Sequence, residues 1–169
     1  MKNLLFILFF YTSFAYSQKT FINTRDSIYM NKELFYTTNN NTLFDGYFDR
    51  VKKNGVIISR EVYENGILKK ILFYYNKSAK GKVYLEIQYS LESSNYYKKK
   101  EIYYHSNGEI YKVKDFDLVN LANLVLYENG TIVYSCEYKN GKKHGIEICY
   151  DKNNNLIQFQ YENGKKIIK

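Results

Sequence analysis

Proline and tryptophan are absent from this sequence of 169 residues, and cysteine and histidine occur only twice each. Without proline, polyproline and collagen-like structures are excluded. Two cysteines are too few for a multi-disulfide framework, and with only two cysteines and two histidines a dedicated zinc cage is not expected. No glycine-rich loop precedes a helical pattern, so a phosphate-binding loop has no candidate. The hydrophobic share of 45% is too high for a disordered chain, and the length is that of one folded domain.

The N-terminal residues have the pattern of an export signal. One lysine precedes an apolar run over residues 4–10, and the small residues Ala15 and Ser17 follow it. The run is too short to span a membrane, which takes about 20 apolar residues. A buried N-terminal helix is the alternative, but the segment lacks an amphipathic stripe. Residues 1–17 are therefore predicted to be a signal peptide. The remaining domain, residues 18–169, is then exported to the periplasm, to the outer envelope or to the medium.

The chain after this signal repeats a phrase in which Asn-Gly follows a tyrosine. The phrase Tyr-x-Asn-Gly occurs at residues 63–66, 127–130, 138–141 and 161–164. Asn-Gly between alternating apolar runs is the strongest short-range hairpin signal, because both central residues of a type I′ turn need positive φ. In the C-terminal half the turn phrases recur at intervals of about 11 or about 22 residues, which is typical of a repeat architecture.

Between the turn signals, apolar and polar residues alternate as they do in half-buried strands. Val83, Leu85 and Ile87 fall on one side of such a run, and Glu86 falls on the other. The mature chain shows no clean helical stripe with a cap. Further turns are expected at residues 76–81, 92–95, 106–108, 115–117, 140–145 and 153–155. The sequence predicts an all-β fold, built as an antiparallel meander of repeated β-hairpins.

The C-terminal repeats resemble a known family. Residues 138–145 read Tyr-Lys-Asn-Gly-Lys-Lys-His-Gly, and Tyr150 and the phrase that begins at Tyr161 continue the pattern. This pattern is similar to that of the MORN-repeat variants, which are often described as antitoxin-type repeat proteins. The resemblance is clearest over residues 127–169, with degenerate copies back to about Phe44. It implies an extended sheet of stacked hairpins, and roles such as toxin neutralisation, scaffolding or lipid association.

Residues that could carry catalysis are few and lack partners in the sequence. His105 and His144 each lie at a predicted turn, and we expect His144 to stabilise its turn. Asp115 and Asp117 are two residues apart, as paired carboxylates can be, but turn chemistry explains them more simply. A nucleophile needs a base, and a metal needs three or four convergent ligands. We therefore expect no enzyme activity, no metal and no cofactor.

The two cysteines could form a disulfide in an exported protein, and the register of one hairpin decides this. A two-residue turn at Asn140-Gly141 keeps Cys136 and Cys149 about 13 Å from pairing, at about 3.3 Å per residue. An odd-numbered loop places the two cysteines on opposite faces of the sheet. Only an even loop centred between Lys142 and Lys143 brings them together.

Composition and architecture favour a binding function. A thin sheet cannot bury both of its faces alone, so we expect a partner, self-association or curling of the sheet. The net charge is +8, and the pairs Lys142-Lys143 and Lys165-Lys166 suit either a solvated surface that protects sheet edges or an anionic partner. The sequence indicates an exported protein-interaction module, with an antitoxin-like or immunity-like role implied by the resemblance. The alternative is a cell-envelope component that binds anionic lipid or glycan. Nucleic acid is not expected as a partner.

Four repeated tyrosines are the candidate binding residues, because a few aromatic anchors usually dominate a protein interface. They are Tyr127, Tyr138, Tyr150 and Tyr161. The same four side chains could instead be packing contacts between hairpins, and the sequence leaves both roles open.

Overall fold

The computed structural model describes residues 20–21, 27–76 and 80–167. The predicted signal peptide, residues 1–17, lies outside this part of the chain. The described residues form fourteen β-strands, of which twelve belong to one sheet and two form a separate hairpin. Within the same residues there is no helix long and apolar enough to cross a membrane.

The strands are numbered in chain order. They are β1 (Thr20–Phe21), β2 (Ile28–Asn31), β3 (Leu34–Thr37), β4 (Gly46–Val51), β5 (Ile57–Glu64), β6 (Ile67–Tyr74), β7 (Val83–Glu92), β8 (Asn95–Tyr104), β9 (Ile110–Asp117), β10 (Asn120–Glu128), β11 (Thr131–Lys139), β12 (Lys142–Tyr150), β13 (Leu156–Glu162) and β14 (Lys165–Ile167).

The main sheet is a meander. From β4 to β14 each strand pairs antiparallel with the next strand along the chain, and β1 adds a short parallel contact to β4. The separate hairpin consists of β2 and β3. Short connections favour this order, because a tight turn can join only adjacent antiparallel strands. The predicted all-β fold and the antiparallel meander are confirmed.

Two-residue Asn-Gly turns join four of the hairpins, and both residues have positive φ in each of them, as predicted. The φ angles are 49° and 77° at Asn129-Gly130, and 52° and 73° at Asn140-Gly141. The copies at residues 65–66 and 163–164 have the same signs. Ser93-Ser94 also makes a two-residue turn, with φ of 47° and 65°, although it contains no glycine.

One predicted turn is displaced along the chain. The turn expected at residues 115–117 lies instead at Leu118 and Val119, between β9 and β10. Asp115 stays within β9, directly opposite Lys100 of β8, and their side chains form an ion pair at 3.1 Å. The prediction that Asp115 is a turn residue is therefore wrong: it is a strand residue with a cross-strand ion pair.

A register shift interrupts every pairing from β4–β5 through β11–β12. Such a β-bulge adds residues to one strand of a pair and increases the local twist. Because each bulge changes which residues lie opposite each other, the register cannot be extrapolated from the turns alone.

One of these bulges sets the positions of the two cysteines. The two-residue turn of this hairpin would by itself place Cys136 opposite Gly145, but Cys136 lies opposite Glu147, because β12 bulges around Gly145, where φ is 78°. Cys149 lies opposite Tyr134 and is thus a diagonal neighbour of Cys136. Diagonal Cα atoms are about 7–8 Å apart in a sheet, and a disulfide spans about 4.4–6.8 Å. Both cysteines are free thiols.

A small hydrophobic core lies at the N-terminal end of the main sheet. Phe44, Phe48 and Tyr63 are buried, and their ring centroids lie 5.1, 5.5 and 5.8 Å apart. Phe35 of the β2–β3 hairpin packs edge-on against Tyr63 at 4.7 Å, and its backbone N–H donates to the carbonyl of Gly66. The hairpin therefore covers this end of the sheet. The other strands make their main contacts with their neighbours in the sheet.

Alanine substitution at two turn glycines should separate the cost of backbone conformation from the cost of crowding. At Gly130 a Cβ would have no neighbour within 4 Å. Gly130→Ala should therefore lower the free energy of unfolding only by the cost of placing alanine in a left-handed conformation, about 1–2 kcal/mol. At Gly66 a Cβ would lie 2.7 Å from the carbonyl oxygen of Phe35 and 2.8 Å from Leu43 Cδ2. Urea unfolding should therefore show a larger loss for Gly66→Ala than for Gly130→Ala. Equal losses would contradict the packing of the β2–β3 hairpin on this turn.

Thiol titration tests the register of the β11–β12 hairpin. Protein that is purified without reductant and then unfolded should expose two reactive thiols per chain. Cys136 and Cys149 are diagonal neighbours, and this spacing is too long for a disulfide. The variant Cys149→Ser should expose one. A wild-type chain that shows none, with a mass lower by two hydrogen atoms, would demonstrate a disulfide and contradict this register.

Candidate functional site

The two faces of the main sheet differ in what covers them. We call the face that carries Phe48 and Tyr63, against which the β2–β3 hairpin packs, the hairpin face. The other is called the opposite face. Since side chains alternate along a strand, the cross-strand register assigns each residue to one of them.

On the hairpin face, one side chain from each of the strands β4 to β13 joins a single row across the sheet. In chain order the row consists of Phe48, Glu61, Ile71, Ile87, Glu101, Lys114, Leu124, Cys136, Glu147 and Phe159. We call it the glutamate row, because it contains three glutamates. With neighbouring strands about 4.8 Å apart, these glutamates are separated by about 14 Å and about 19 Å.

Glu101, at the centre of the row, is satisfied by three side chains. It is 7% exposed, and its carboxylate accepts hydrogen bonds from Lys98 Nζ at 2.7 Å and from the Tyr103 hydroxyl at 2.8 Å. Lys114 Nζ lies 3.5 Å away. Burial raises the pKa of this carboxyl, but its hydrogen bonds and the two ammonium charges lower it more, so the net pKa is below the ordinary value. Burial and the bond to Glu101 raise the pKa of Tyr103 to about 12.

Glu147, near the C-terminal end of the row, has a similar environment. It is 5% exposed, accepts a hydrogen bond from the Tyr134 hydroxyl at 2.8 Å, and forms an ion pair with Lys143. Burial raises the pKa of the carboxyl, but hydrogen bonds from Lys143, Tyr134 and Tyr161 outweigh it, and the net pKa is below the ordinary value. Burial also raises the pKa of the neighbouring Cys136 thiol, so this cysteine is held in its neutral form.

Glu61, near the N-terminal end of the row, differs from the other two glutamates. It is half-buried and accepts a hydrogen bond from the Tyr63 hydroxyl at 2.8 Å. Among the described residues, no lysine or arginine forms an ion pair with it. Glu61 instead lines a groove of about 410 Å³, which we call the Glu61 groove. The other residues that line it are Phe48, Asp49, Arg50, Ser59, Ile71 and Phe73.

The structure divides the four sequence-predicted tyrosines between the two faces. Tyr161 lies on the hairpin face, with Lys143 Nζ 5.1 Å from its ring centroid. Tyr138 lies on the same face, on the same strand as Tyr134. Burial raises the pKa of Tyr134, and its hydrogen bond to Glu147 and a smaller contribution from Tyr138 raise it further. The remaining two, Tyr127 and Tyr150, lie on the opposite face. The four tyrosines therefore do not form one surface.

Exposed apolar side chains surround the two tyrosines of the opposite face. Tyr127 lies opposite Ile132, and Tyr150 lies opposite Leu156. The exposed fractions of Ile132, Tyr150 and Leu156 are 43%, 39% and 56%. Ile132 and Tyr150 lie just beyond the Tyr134–Cys149 pair of β11 and β12, so the two pairs lie at the same end of four adjacent strands. We call these four residues the C-terminal apolar strip. Sequence analysis missed Ile132 and Leu156, which follow turns and look like ordinary strand residues.

The four lysines considered for an anionic partner are divided in the same way. Lys143 and Lys166 lie on the hairpin face, where Lys143 pairs with Glu147 and Lys166 Nζ lies 3.4 Å from the ring centroid of Phe159. Lys142 and Lys165 belong to the opposite face by register. The lysines thus do not converge on one cationic surface.

The two histidines are far apart in the meander. His105 lies between β8 and β9, and its ring lies 4.6 Å from that of Tyr111. His144 lies within β12 beside the bulge at Gly145, so its predicted position in a turn is wrong. Within residues 20–21, 27–76 and 80–167, no group of three or more His, Cys, Asp and Glu side chains is arranged to hold a metal ion.

Comparison of the chain with protein-family models and with curated proteins gave no match. The resemblance to the MORN-repeat variants therefore stays a prediction that rests on the residues that carry it.

Stability should fall in acid through the buried glutamates. A carboxyl with a lowered pKa in the folded state contributes stability above its unfolded pKa, because the unfolded state takes up the proton first. For Glu147 this contribution begins to disappear near the ordinary value of 4.5 and is lost as the pH falls through the folded-state pKa.

Urea unfolding of Glu147→Gln between about pH 7 and about pH 3 measures this contribution. The variant should lose less stability over this range than the wild type. The control Glu128→Gln changes an exposed glutamate at the end of β10 and should keep the wild-type slope. Parallel slopes for Glu147→Gln and the wild type would show that Glu147 has no lowered pKa.

Proposed function

We propose that the protein is an exported, non-enzymatic protein-interaction module that binds a partner protein through the C-terminal apolar strip. The observation that carries this proposal is the exposure of Ile132, Tyr150 and Leu156 on three adjacent strands, next to the half-buried Tyr127, in a sheet whose strands pack mainly on their neighbours. Exposed contiguous apolar surface in a folded protein is typical of an interaction site.

The composition of the strip suits a protein partner. Tyrosine and leucine bury large apolar areas when they enter an interface, and aromatic anchors usually contribute most of the binding energy. Gln158 and Gln160 lie on the same face of β13, next to Leu156, and supply a polar rim. Tyr127 and Tyr150 of the strip also belong to the repeats that resemble MORN-repeat variants, which supports an antitoxin-like or immunity-like role. The pattern of residues 1–17 supports export.

The alternative is a cell-envelope component that binds anionic lipid or glycan. This function needs several lysines on the same face of the sheet. Lys143 and Lys166 instead lie on the hairpin face, against Glu147 and Phe159. An apolar strip on the opposite face does not depend on them. The distribution of charge therefore favours a protein partner.

Salt distinguishes the two functions, because the Debye length falls to about 3 Å at about 1 M salt and exposed charges are then screened. We expect immobilised protein to capture a partner protein that stays bound at this salt concentration. Tyr150→Ala combined with Leu156→Ala should weaken the binding at least about tenfold, since both anchors are removed.

The matched control is Val119→Ala, which removes an exposed apolar side chain at the turn between β9 and β10 and should not affect the partner. Salt-sensitive binding to anionic vesicles, with no protein retained in high salt, would contradict the proposal and support the envelope function.

A further inference from the structure

We propose that the Glu61 groove binds a lysine or arginine side chain presented by a partner protein. The groove is separate from the C-terminal apolar strip and lies on the other face of the sheet. The inference therefore does not depend on the function proposed for the strip.

The three glutamates of the glutamate row share one arrangement, and Glu61 lacks one part of it. Each carboxylate accepts a hydrogen bond from a tyrosine hydroxyl at 2.8 Å. Glu101 and Glu147 also form ion pairs with lysine side chains. Glu61 has no such cation among the described residues. Because a carboxylate that is partly removed from water is stabilised by an opposite charge, Glu61 is the position where an external cation would bind.

The lysines at the two complete positions show how a cation fits beside such a carboxylate. Lys98 Nζ bonds to Glu101 and also lies 4.2 Å from the ring centroid of Phe116. Lys143 pairs with Glu147 while its Nζ lies 5.1 Å from the ring centroid of Tyr161. In both places the cation contacts a carboxylate and an aromatic ring together, which strengthens its binding.

The Glu61 groove offers the same combination without the lysine. Phe48 lies directly opposite Glu61 on β4, and Ile71 lies opposite it on β6. Phe73 lines the groove one position further along β6 on the same face. The aliphatic stem of a lysine or arginine can pack across these apolar side chains while its charged end reaches the carboxylate.

The other charges at the groove limit the kind of ligand. The Asp49 carboxylate is already bonded to Arg60 at 2.6 and 2.7 Å, so it does not compete with Glu61 for a cation. Arg50 is exposed and lines the groove, where its guanidinium can donate to an oxygen of the ligand. A segment of protein carries carbonyl oxygens beside its basic side chain, and a simple amine does not.

A displayed library of random peptides, selected on the immobilised full chain, tests this inference. The wild-type protein should enrich peptides that contain lysine or arginine, and Glu61→Gln should lose this enrichment, because it keeps the shape of the side chain and removes its charge. An enriched peptide should bind at least about tenfold more weakly when its basic residue is replaced by norleucine. That replacement should have little further effect on binding to Glu61→Gln.

Two controls separate this site from the rest of the molecule. Glu128→Gln removes an exposed glutamate elsewhere, and Leu156→Ala alters the C-terminal apolar strip; neither should change binding of the enriched peptides. The norleucine comparison on wild-type protein remains decisive if Glu61→Gln fails to fold. Enrichment without basic residues, enrichment of acidic peptides, or equal binding of lysine and norleucine peptides would each overturn the inference.

Discussion

Backbone pairing between consecutive strands is the interaction on which the rest of this structure depends. From β5 to β13 each strand is hydrogen-bonded to the strands before and after it in the chain, and among the described residues only the β2–β3 hairpin packs across the sheet at one end. The register of each pairing therefore decides which side chains meet. The glutamate row exists because the pairings of ten successive strands bring one residue from each into line.

Such a sheet must stabilise side chains that are neither fully buried nor fully exposed. Tyrosine meets this need, because its ring packs as an apolar body and its hydroxyl can bond to a neighbouring carboxylate. At Glu101 and Glu147 the tyrosine, the carboxylate and a lysine form groups that are complete within the chain. Glu61 has the tyrosine and the aromatic neighbours, and its charge is left facing a groove. This contrast within one row is the basis of the proposal that the groove receives a cation from a partner.

The features that depend on local sequence were predictable, and those that depend on accumulated register were not. The dipeptide Asn129-Gly130 predicts its turn, because few other residues accept positive φ at both positions. The Ser93-Ser94 turn carries no such signal. Each bulge changes the pairing without a clear mark in the sequence, so Cys136 faces Glu147, two residues beyond the position set by its turn. For the same reason the division of the four tyrosines between two faces, and the alignment of the glutamates, could not be derived from the sequence alone.

We propose that the opposite face of the C-terminal hairpins is uncovered in the free protein and available to a partner. Hydroxyl-radical footprinting of the purified chain measures this directly, because it reports the solvent exposure of individual side chains. We expect rapid labelling of Ile132, Tyr150 and Leu156, and protection of Phe44 and Tyr63 in the small core. Protection of the three strip residues to the level of the core residues, in the absence of any partner, would show that this face is already covered and would contradict the account.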